Sequence, residues 1–508
     1  MKSQLFLKIS FLFFTLLNIY PMEETSAQSK EQSNNSKITV PDTLTTVKKS
    51  IKINGKNLAY TVNTGYISLK KETGEAEAHI FFTAYTKDNV TDKTKRPITF
   101  AFNGGPGSAS VWLHMGVLGP RRILMSDEGA SLKPPYEIVD NEYTWLEESD
   151  LVFIDPVTTG FSRANEEKDA KKFHGFLGDI QAVADFIRRY TTENERWASP
   201  KYLIGESYGT TRASALSKEL IDAYGLYLNG IILMSSVLDF QTLLFMPQND
   251  MPYSLYIPSY AATAHYHQKL ASELQAKPLA DFLKEVEDFT INEYSVALYK
   301  GNLLKAEEKE QIASKLSYYT GIDKAYYLRS DLRVNLYRYN KELLRDKYEV
   351  VGRFDSRYKY IDADGNRESG EYDPSFQPAI LGPFGTAINH YLRSELGFKT
   401  DLPYNLLTGK VHPWDYSTFN NKFVNTSEHL RKAMVMNPHM KVWVCSGYYD
   451  MATPYFATEY TMHHLGLPQH LYSNIHTTYY EAGHMMYLHK PSLIKLKTEV
   501  KDFFKIEE

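Results

Sequence analysis

The chain of 508 residues contains one cysteine, Cys445, so no disulfide can form within it and no cysteine pair exists to help complete a zinc site. It has no excess of positive charge: 57 lysines and arginines stand against 61 aspartates and glutamates, a formal net charge of −4. With no basic stripe interleaved with aromatics, the electrostatic footprint of a nucleic-acid binder is missing. There is no His-Glu-x-x-His run, no dinucleotide fingerprint and no internal repeat. The stretch His463-His-Leu-Gly-Leu-Pro-Gln-His470, with His476 and His489 nearby, invites a metal but lacks a recognised ligand spacing. Neither a metal nor a cofactor is expected.

One apolar run stands out at the start. Lysine-bearing residues 1–10 lead into Phe11-Leu-Phe-Phe-Thr-Leu-Leu-Asn-Ile-Tyr20, and Thr25-Ser-Ala27 supplies small residues for cleavage, the pattern of a signal peptide over 1–27. The run is too short for a comfortable bilayer span, so no stable span is expected once it is removed. Polar residues 28–48 suit a mobile leader. Export to an oxidising compartment without disulfides suggests a bacterial periplasmic or secreted enzyme.

The most informative motif is Gly205-Glu-Ser-Tyr-Gly209, behind the apolar run Tyr202-Leu-Ile204 and ahead of small, helix-compatible residues. A Gly-x-Ser-x-Gly in that setting is the sequence form of a nucleophile elbow, a sharp strand-to-helix turn that leaves the serine hydroxyl exposed. Such a serine needs a carboxylate and a histidine later in the chain, each at the end of its own strand. Lys441-Val-Trp-Val-Cys-Ser-Gly-Tyr-Tyr-Asp450 and Thr477-Thr-Tyr-Tyr-Glu-Ala-Gly-His484 provide Asp450 and His484 in that order. A strand over 98–102 empties into Asn103-Gly-Gly-Pro-Gly-Ser108, where glycines can turn amides toward an oxyanion. The amide of Tyr208, the residue after the nucleophile, is the expected second donor. A phosphate-binding role for this loop is disfavoured, because the lysine of a P-loop is missing and Pro106 removes an amide.

With these residues in hand, the chain resembles the serine carboxypeptidases. The resemblance rests on Phe102-Asn-Gly-Gly-Pro-Gly-Ser-Ala-Ser110, Leu118-Gly-Pro120, Ile154-Asp-Pro-Val-Thr-Thr-Gly-Phe-Ser162, Gly205-Glu-Ser-Tyr-Gly209, Ser446-Gly-Tyr-Tyr-Asp450 and Ala482-Gly-His-Met485, in that order over roughly residues 90–500. It implies removal of C-terminal amino acids from peptides with a free C-terminus, through a triad of Ser207, Asp450 and His484 and an oxyanion hole of the Gly105 and Tyr208 amides. It also implies that Asn103, the Gly104 amide and Glu206 hold the substrate's terminal carboxylate. A glutamate can do this only when protonated, because the anion would repel its ligand, so binding should favour acidic pH. Eukaryotic members commonly carry a second glutamate where this chain has Val117, and a cysteine where it has Ser108. The first departure predicts fewer carboxyl neighbours for Glu206 and a milder acid preference. The second fits a chain without disulfides.

Along the chain, alternating stretches at 49–64, 66–71 and 76–85 predict an antiparallel edge. Strand and helix then alternate over 98–102, 151–154, 175–190, 202–204 and 230–234, which predicts a mostly parallel sheet covered on both faces. The resemblance makes this an α/β-hydrolase fold. Helical periodicity over 259–275, 279–300, 306–319 and 331–345, followed by a strand at 348–353, predicts a helical cap at 241–385 inserted between core halves 49–240 and 386–508. Core strands resume at 441–445 and 475–480, and 491–504 closes the chain as a helix. Tyrosines, 38 in all and clustered at Tyr253-Ser-Leu-Tyr-Ile-Pro-Ser-Tyr260, either line a peptide groove or pack the cap. Met485 and Met486 either wall the leaving-group pocket or simply pack. An elbow triad does not select its acyl donor, so an esterase or acyltransferase is the alternative function. A non-catalytic binding protein is a remoter one.

Overall fold

The computed structural model describes residues 44–505; the expected signal peptide and the leader up to residue 43 lie outside them. The edge of the sheet starts earlier than expected. Strand β1 (Thr45–Ile53) takes in residues 45–48 of the expected leader, and pairs with β2 (Lys56–Lys70) in an antiparallel hairpin. The turn is Asn54-Gly55, both at positive φ, 49° and 80°, the backbone that Asn-Gly adopts in tight hairpins. This turn splits the stretch expected at 49–64, whereas β2 runs unbroken through Gly65, paired with Phe82 of β3 (Ala76–Lys87).

From there the strands are short, and all but the last, which lies at the sheet's edge, are buried on both faces, as the interior of a parallel sheet requires. They are β4 (Ile98–Phe102), β5 (Asp150–Ile154), β6 (Lys201–Ser207), β7 (Gly230–Ser236), β8 (Lys441–Gly447) and β9 (Ile475–Tyr480). Across the sheet the order is β1-β2-β3-β5-β4-β6-β7-β8-β9, with the short strand Arg163–Ala164 beside β3. All pairings from β5 to β9 are parallel. Successive residues alternate between two apolar clusters. Ala101, Ile204, Met234 and Trp443 face the helices Gly382–His390 and Lys490–Phe503. Phe100, Leu203, Leu233 and Val444 face helices α1 (Phe176–Glu193) and α2 (Tyr208–Tyr224) and the helix Ser427–Met436.

A third apolar cluster belongs mainly to the cap. Its helices include Ile257–Tyr266, Leu279–Phe289, Ala306–Thr320 and Leu336–Glu342. The single helix expected over 259–275 is broken, because Gln268 turns to φ 57° and the Lys269 N–H returns to the Ala264 carbonyl at 3.0 Å. Tyr260 stacks on Tyr339 at 3.9 Å, and the Tyr339 hydroxyl donates to the Tyr260 carbonyl at 2.6 Å. Tyr256 and Tyr260 therefore pack the cap. The strand expected at 348–353 is one arm of a hairpin, Glu349–Val351 with Lys359–Ile361. The expected boundary at 385/386 falls inside the helix Gly382–His390, and no sheet strand resumes before Lys441.

Candidate active site

Four strands deliver the site from their C-terminal ends, where open parallel sheets place their ligands. Ser207, last in β6 and first before α2, stands at φ 60°, ψ −129°. This is the strained corner that turns a nucleophile outward, and Ser207 is the only residue of its strand that is not buried. After β4 comes the glycine loop. A side chain at Gly104 would collide with the Tyr208 amide and, at 2.8 Å, with the Glu206 carbonyl, so only glycine lets this loop lie flat against the elbow. The Gly105 and Tyr208 amides, expected as oxyanion donors, thus come from two segments in direct contact.

Asp450 follows β8 and is fully buried. Its Oδ1 accepts the Ala452 and Thr453 amides at 2.7 and 2.9 Å, and Oδ2 accepts the Thr453 hydroxyl at 2.7 Å. Oδ2 also lies 2.8 Å from Nδ1 of His484, which follows β9. A carboxylate only accepts, so Nδ1 carries a proton, and in the neutral imidazole Nε2 is then the nitrogen with a lone pair. The histidine is held on its other sides as well. Its N–H donates to the Phe354 carbonyl at 2.6 Å, its carbonyl accepts the Ser235 hydroxyl at 2.6 Å, and its ring stacks on Phe354 at 4.7 Å and 19°. The adjacent Gly483 N–H donates to Asp355 at 3.0 Å.

Asn103 and Glu206 meet beside the elbow. Asn103 Oδ1 accepts the Leu113 N–H at 3.1 Å, while its buried Nδ2 lies near enough to Glu206 to favour that group's anion but makes no hydrogen bond of ordinary geometry. Its carbonyl accepts Arg212 Nη1 at 2.6 Å, and Arg212 in turn forms a buried ion pair with Asp179 at 2.8 Å. Glu206 is 3% exposed, and Tyr487 donates its hydroxyl to Oε2 at 2.6 Å. Burial pushes the Glu206 carboxyl up to about pKa 7; His484, the Tyr487 hydroxyl and Asn103 pull against that shift, and the Asp450 charge adds to it. Val117 is buried in the core, and the Glu206 anion is disfavoured by desolvation and by the Asp450 charge rather than by a second glutamate.

The ring of Tyr487 reaches Glu206 through space vacated at Gly116, where a Cβ would run into the ring. Sequence reasoning missed this pair, although Tyr487 follows His484 closely. It also missed the Asp179–Arg212 tie and the Phe354-Asp355 brace, which no local spacing announces. Met486 is fully buried in the core and Met485 packs against it. Ser108 accepts the Trp112 indole N–H at 2.7 Å. Among the described residues no group of three metal-ligating side chains is brought together, at the histidine-rich stretch or elsewhere. No helix among them is long and apolar enough to cross a membrane.

A family model described as serine carboxypeptidase matches residues 53–484. The chain belongs to that family. Among curated relatives, "Serine carboxypeptidase-like 32" of Arabidopsis thaliana is 30% identical over 164 residues, 31% of this chain and 32% of that one. "Pheromone-processing carboxypeptidase kex1" of Schizosaccharomyces japonicus is 30% identical over 178 residues, 34% of this chain and 30% of the relative. The matched stretch thus spans about a third of these relatives. The crystal structure of a prohormone-processing carboxypeptidase, Kex1(delta)p from Saccharomyces cerevisiae, aligns with 87% of this chain and 91% of its own at a TM-score of 0.53 and 17% identity. That likeness establishes the fold, an α/β-hydrolase.

Proposed function

We propose that the protein is a serine carboxypeptidase, releasing single amino acids from peptides that end in a free carboxylate. The observation that carries this reading is the pairing of an elbow serine and a buried Asp450–His484 couple with two neighbouring groups suited to a carboxylate: the Asn103 amide, whose Nδ2 makes no hydrogen bond of ordinary geometry, and the buried Glu206. Ser207 attacks the last peptide carbonyl while His484 Nε2 takes its proton. The oxyanion is held by the Gly105 and Tyr208 amides, and His484 returns the proton to the departing amino group. Water then hydrolyses the acyl-enzyme by the same proton path. Until that amino acid departs and takes its carboxylate with it, Asn103 Nδ2, the Gly104 amide and protonated Glu206 hold the terminal carboxylate and set the register of cleavage at one residue.

The test is mass spectrometry of paired peptides that differ only in a free or amidated C-terminus, incubated at several pH values with wild type and with Ser207→Ala. Stepwise loss of single residues from the free acid is expected, strongest at acidic pH. Ser207→Ala should forfeit most of the roughly 10⁶-fold effect of a triad. Equal attack on the amidated peptide would replace this reading with that of an esterase or acyltransferase on the same triad. The lysine-bearing start and apolar run of residues 1–20 support export of the enzyme to a periplasmic or extracellular space. N-terminal sequencing of the mature protein tests this, with cleavage expected near Ala27.

A further inference from the structure

Arg353 is a cation that the reaction described above leaves unused. It lies on the cap segment that touches both catalytic loops: its carbonyl accepts the N–H of Met451, next to Asp450, at 3.0 Å, and Phe354 beside it stacks on His484. The Arg353 guanidinium carbon stands over the Phe354 ring, 5.3 Å from its centroid, and that ring is 4.7 Å from the imidazole. The cation therefore lies within roughly 10 Å of the catalytic ring, about three residues of extended peptide.

Other buried or half-buried arginines around the cap and the elbow are paired, among them Arg357 with Asp355 at 2.7 Å, Arg333 with Asp250 at 2.6 Å and Arg212 with Asp179 at 2.8 Å, whereas Arg329, over the Tyr326 ring, is exposed. Arg353 differs. The Asp373 carboxylate accepts the backbone N–H groups of Arg353 and Phe354 at 3.1 and 3.2 Å, which fixes the segment but forms no ion pair with the guanidinium. Its buried Nε has no hydrogen-bond partner among the described residues. A half-buried cation is normally matched by an anion, and a stack on phenylalanine leaves its N–H donors unmet.

We propose that Arg353 is a specificity-determining residue that binds the side-chain carboxylate of a substrate residue at the cut bond, so that the enzyme prefers peptides with aspartate or glutamate there. The inference rests on the carboxypeptidase reading. The terminal carboxylate already has Asn103 and Glu206, so the anion left for Arg353 is a side chain, and a fork of N–H donors suits it.

The experiment measures kcat/KM at pH 6 for peptides carrying glutamate or glutamine at the last or the penultimate position, with free or amidated C-termini. It is run on wild type, Arg353→Met and Arg353→Lys. In wild type, glutamate should be favoured over glutamine at one of the two positions by about tenfold or more, the worth of a charge-assisted hydrogen bond. That ratio should fall to near one in Arg353→Met and be partly kept in Arg353→Lys. Each ratio is taken within one enzyme preparation, so lost folded protein cancels. A wild-type ratio of one at both positions, or an unchanged ratio in Arg353→Met, overturns the proposal. A KM increase in Arg353→Met shared by all free-acid peptides also overturns it, because Arg353 would then be reading the terminal carboxylate. Failure of the carboxypeptidase reading shows elsewhere, as wild-type cleavage of amidated and free-acid peptides alike.

Discussion

A carboxyl group as buried as Glu206 loses most of the hydration that would favour its anion, and burial raises its pKa to about 7. The neutral form can donate a hydrogen bond to a substrate carboxylate, whereas the anion repels it. Peptide KM should therefore be low and flat below about pH 6 and climb through pH 7, by about tenfold for the loss of one charge-assisted bond. Glu206→Gln, a neutral donor at every pH, should flatten that curve. Tyr487→Phe separates the role of the partner from that of the site: the Tyr487 hydroxyl donates to Oε2 and favours the anion, so its removal should carry the KM rise to higher pH. Steady-state kinetics on a free-acid peptide between pH 5 and 8.5 measures both effects. Superimposable KM curves for wild type and Tyr487→Phe would detach the tyrosine from carboxylate recognition.

At the scale of elements, one guanidinium joins three segments: Arg212 on α2 pairs with Asp179 on α1 and donates to the Asn103 carbonyl of the glycine loop. Asp179→Ala leaves that charge buried and uncompensated, and should cost about 3–5 kcal/mol, read as a lowered urea midpoint. Adding Arg212→Met should recover part of the loss, since an apolar pair of similar volume needs no counter-ion. A wild-type midpoint for Asp179→Ala would mean that the tie carries no stability. The elements themselves were largely legible in the sequence. Parallel strands buried on both faces read as continuous apolar runs, as at 98–102 and 230–234, and the motifs sit at their ends because turns there have a fixed chemistry. The hairpin turn Asn54-Gly55 was equally legible but overlooked, and it moved the boundaries of β1 and β2. What local spacing could not reveal were pairings made only in space. Phe354 and Asp355 brace His484 and Gly483 from the far side of some 130 residues, and Tyr487 fills a gap that is visible only once Gly116 is folded beside it.

For the whole molecule, the buried carboxyls make stability depend on pH in an unusual direction. Burial raises Asp155 to about 6 against the donors of Ser110 and Tyr404 and the charge of Arg163. It likewise raises Glu206 and Glu287 to about 7. A group whose pKa is higher folded than unfolded stabilises the fold fully below its unfolded pKa, and that contribution is lost as pH climbs through the folded value. All three groups therefore weaken the fold between about pH 4 and 7, the window from ordinary carboxyl pKa values to the raised ones. Paired carboxyls act at the other end: the Arg431 guanidinium beside Glu428 holds it down to about 2, and Lys309 lowers Asp331, so their contributions disappear as pH falls below about 4. Stability should thus peak at mildly acidic pH, where the proposed recognition of a free C-terminus is also strongest. Asp155 is the cleanest lever. It is 1% exposed, and its rise of about two pH units corresponds to roughly 3 kcal/mol lost by neutral pH. Asp155→Asn preserves the shape and an acceptor for the Ser110 amide and hydroxyl, which Oδ1 accepts at 2.9 and 2.8 Å, but has no proton to lose. Thermal unfolding at a fixed scan rate, from pH 3 to 8, should show the wild-type Tm falling as pH rises from 5 to 7.5, and a shallower fall in Asp155→Asn, so that the variant gains on the wild type with each step toward neutrality. Equal slopes in the two proteins would mean that Asp155 is not the group releasing its proton on unfolding, and a wild-type Tm that peaks near pH 8 would remove the acid-side optimum altogether.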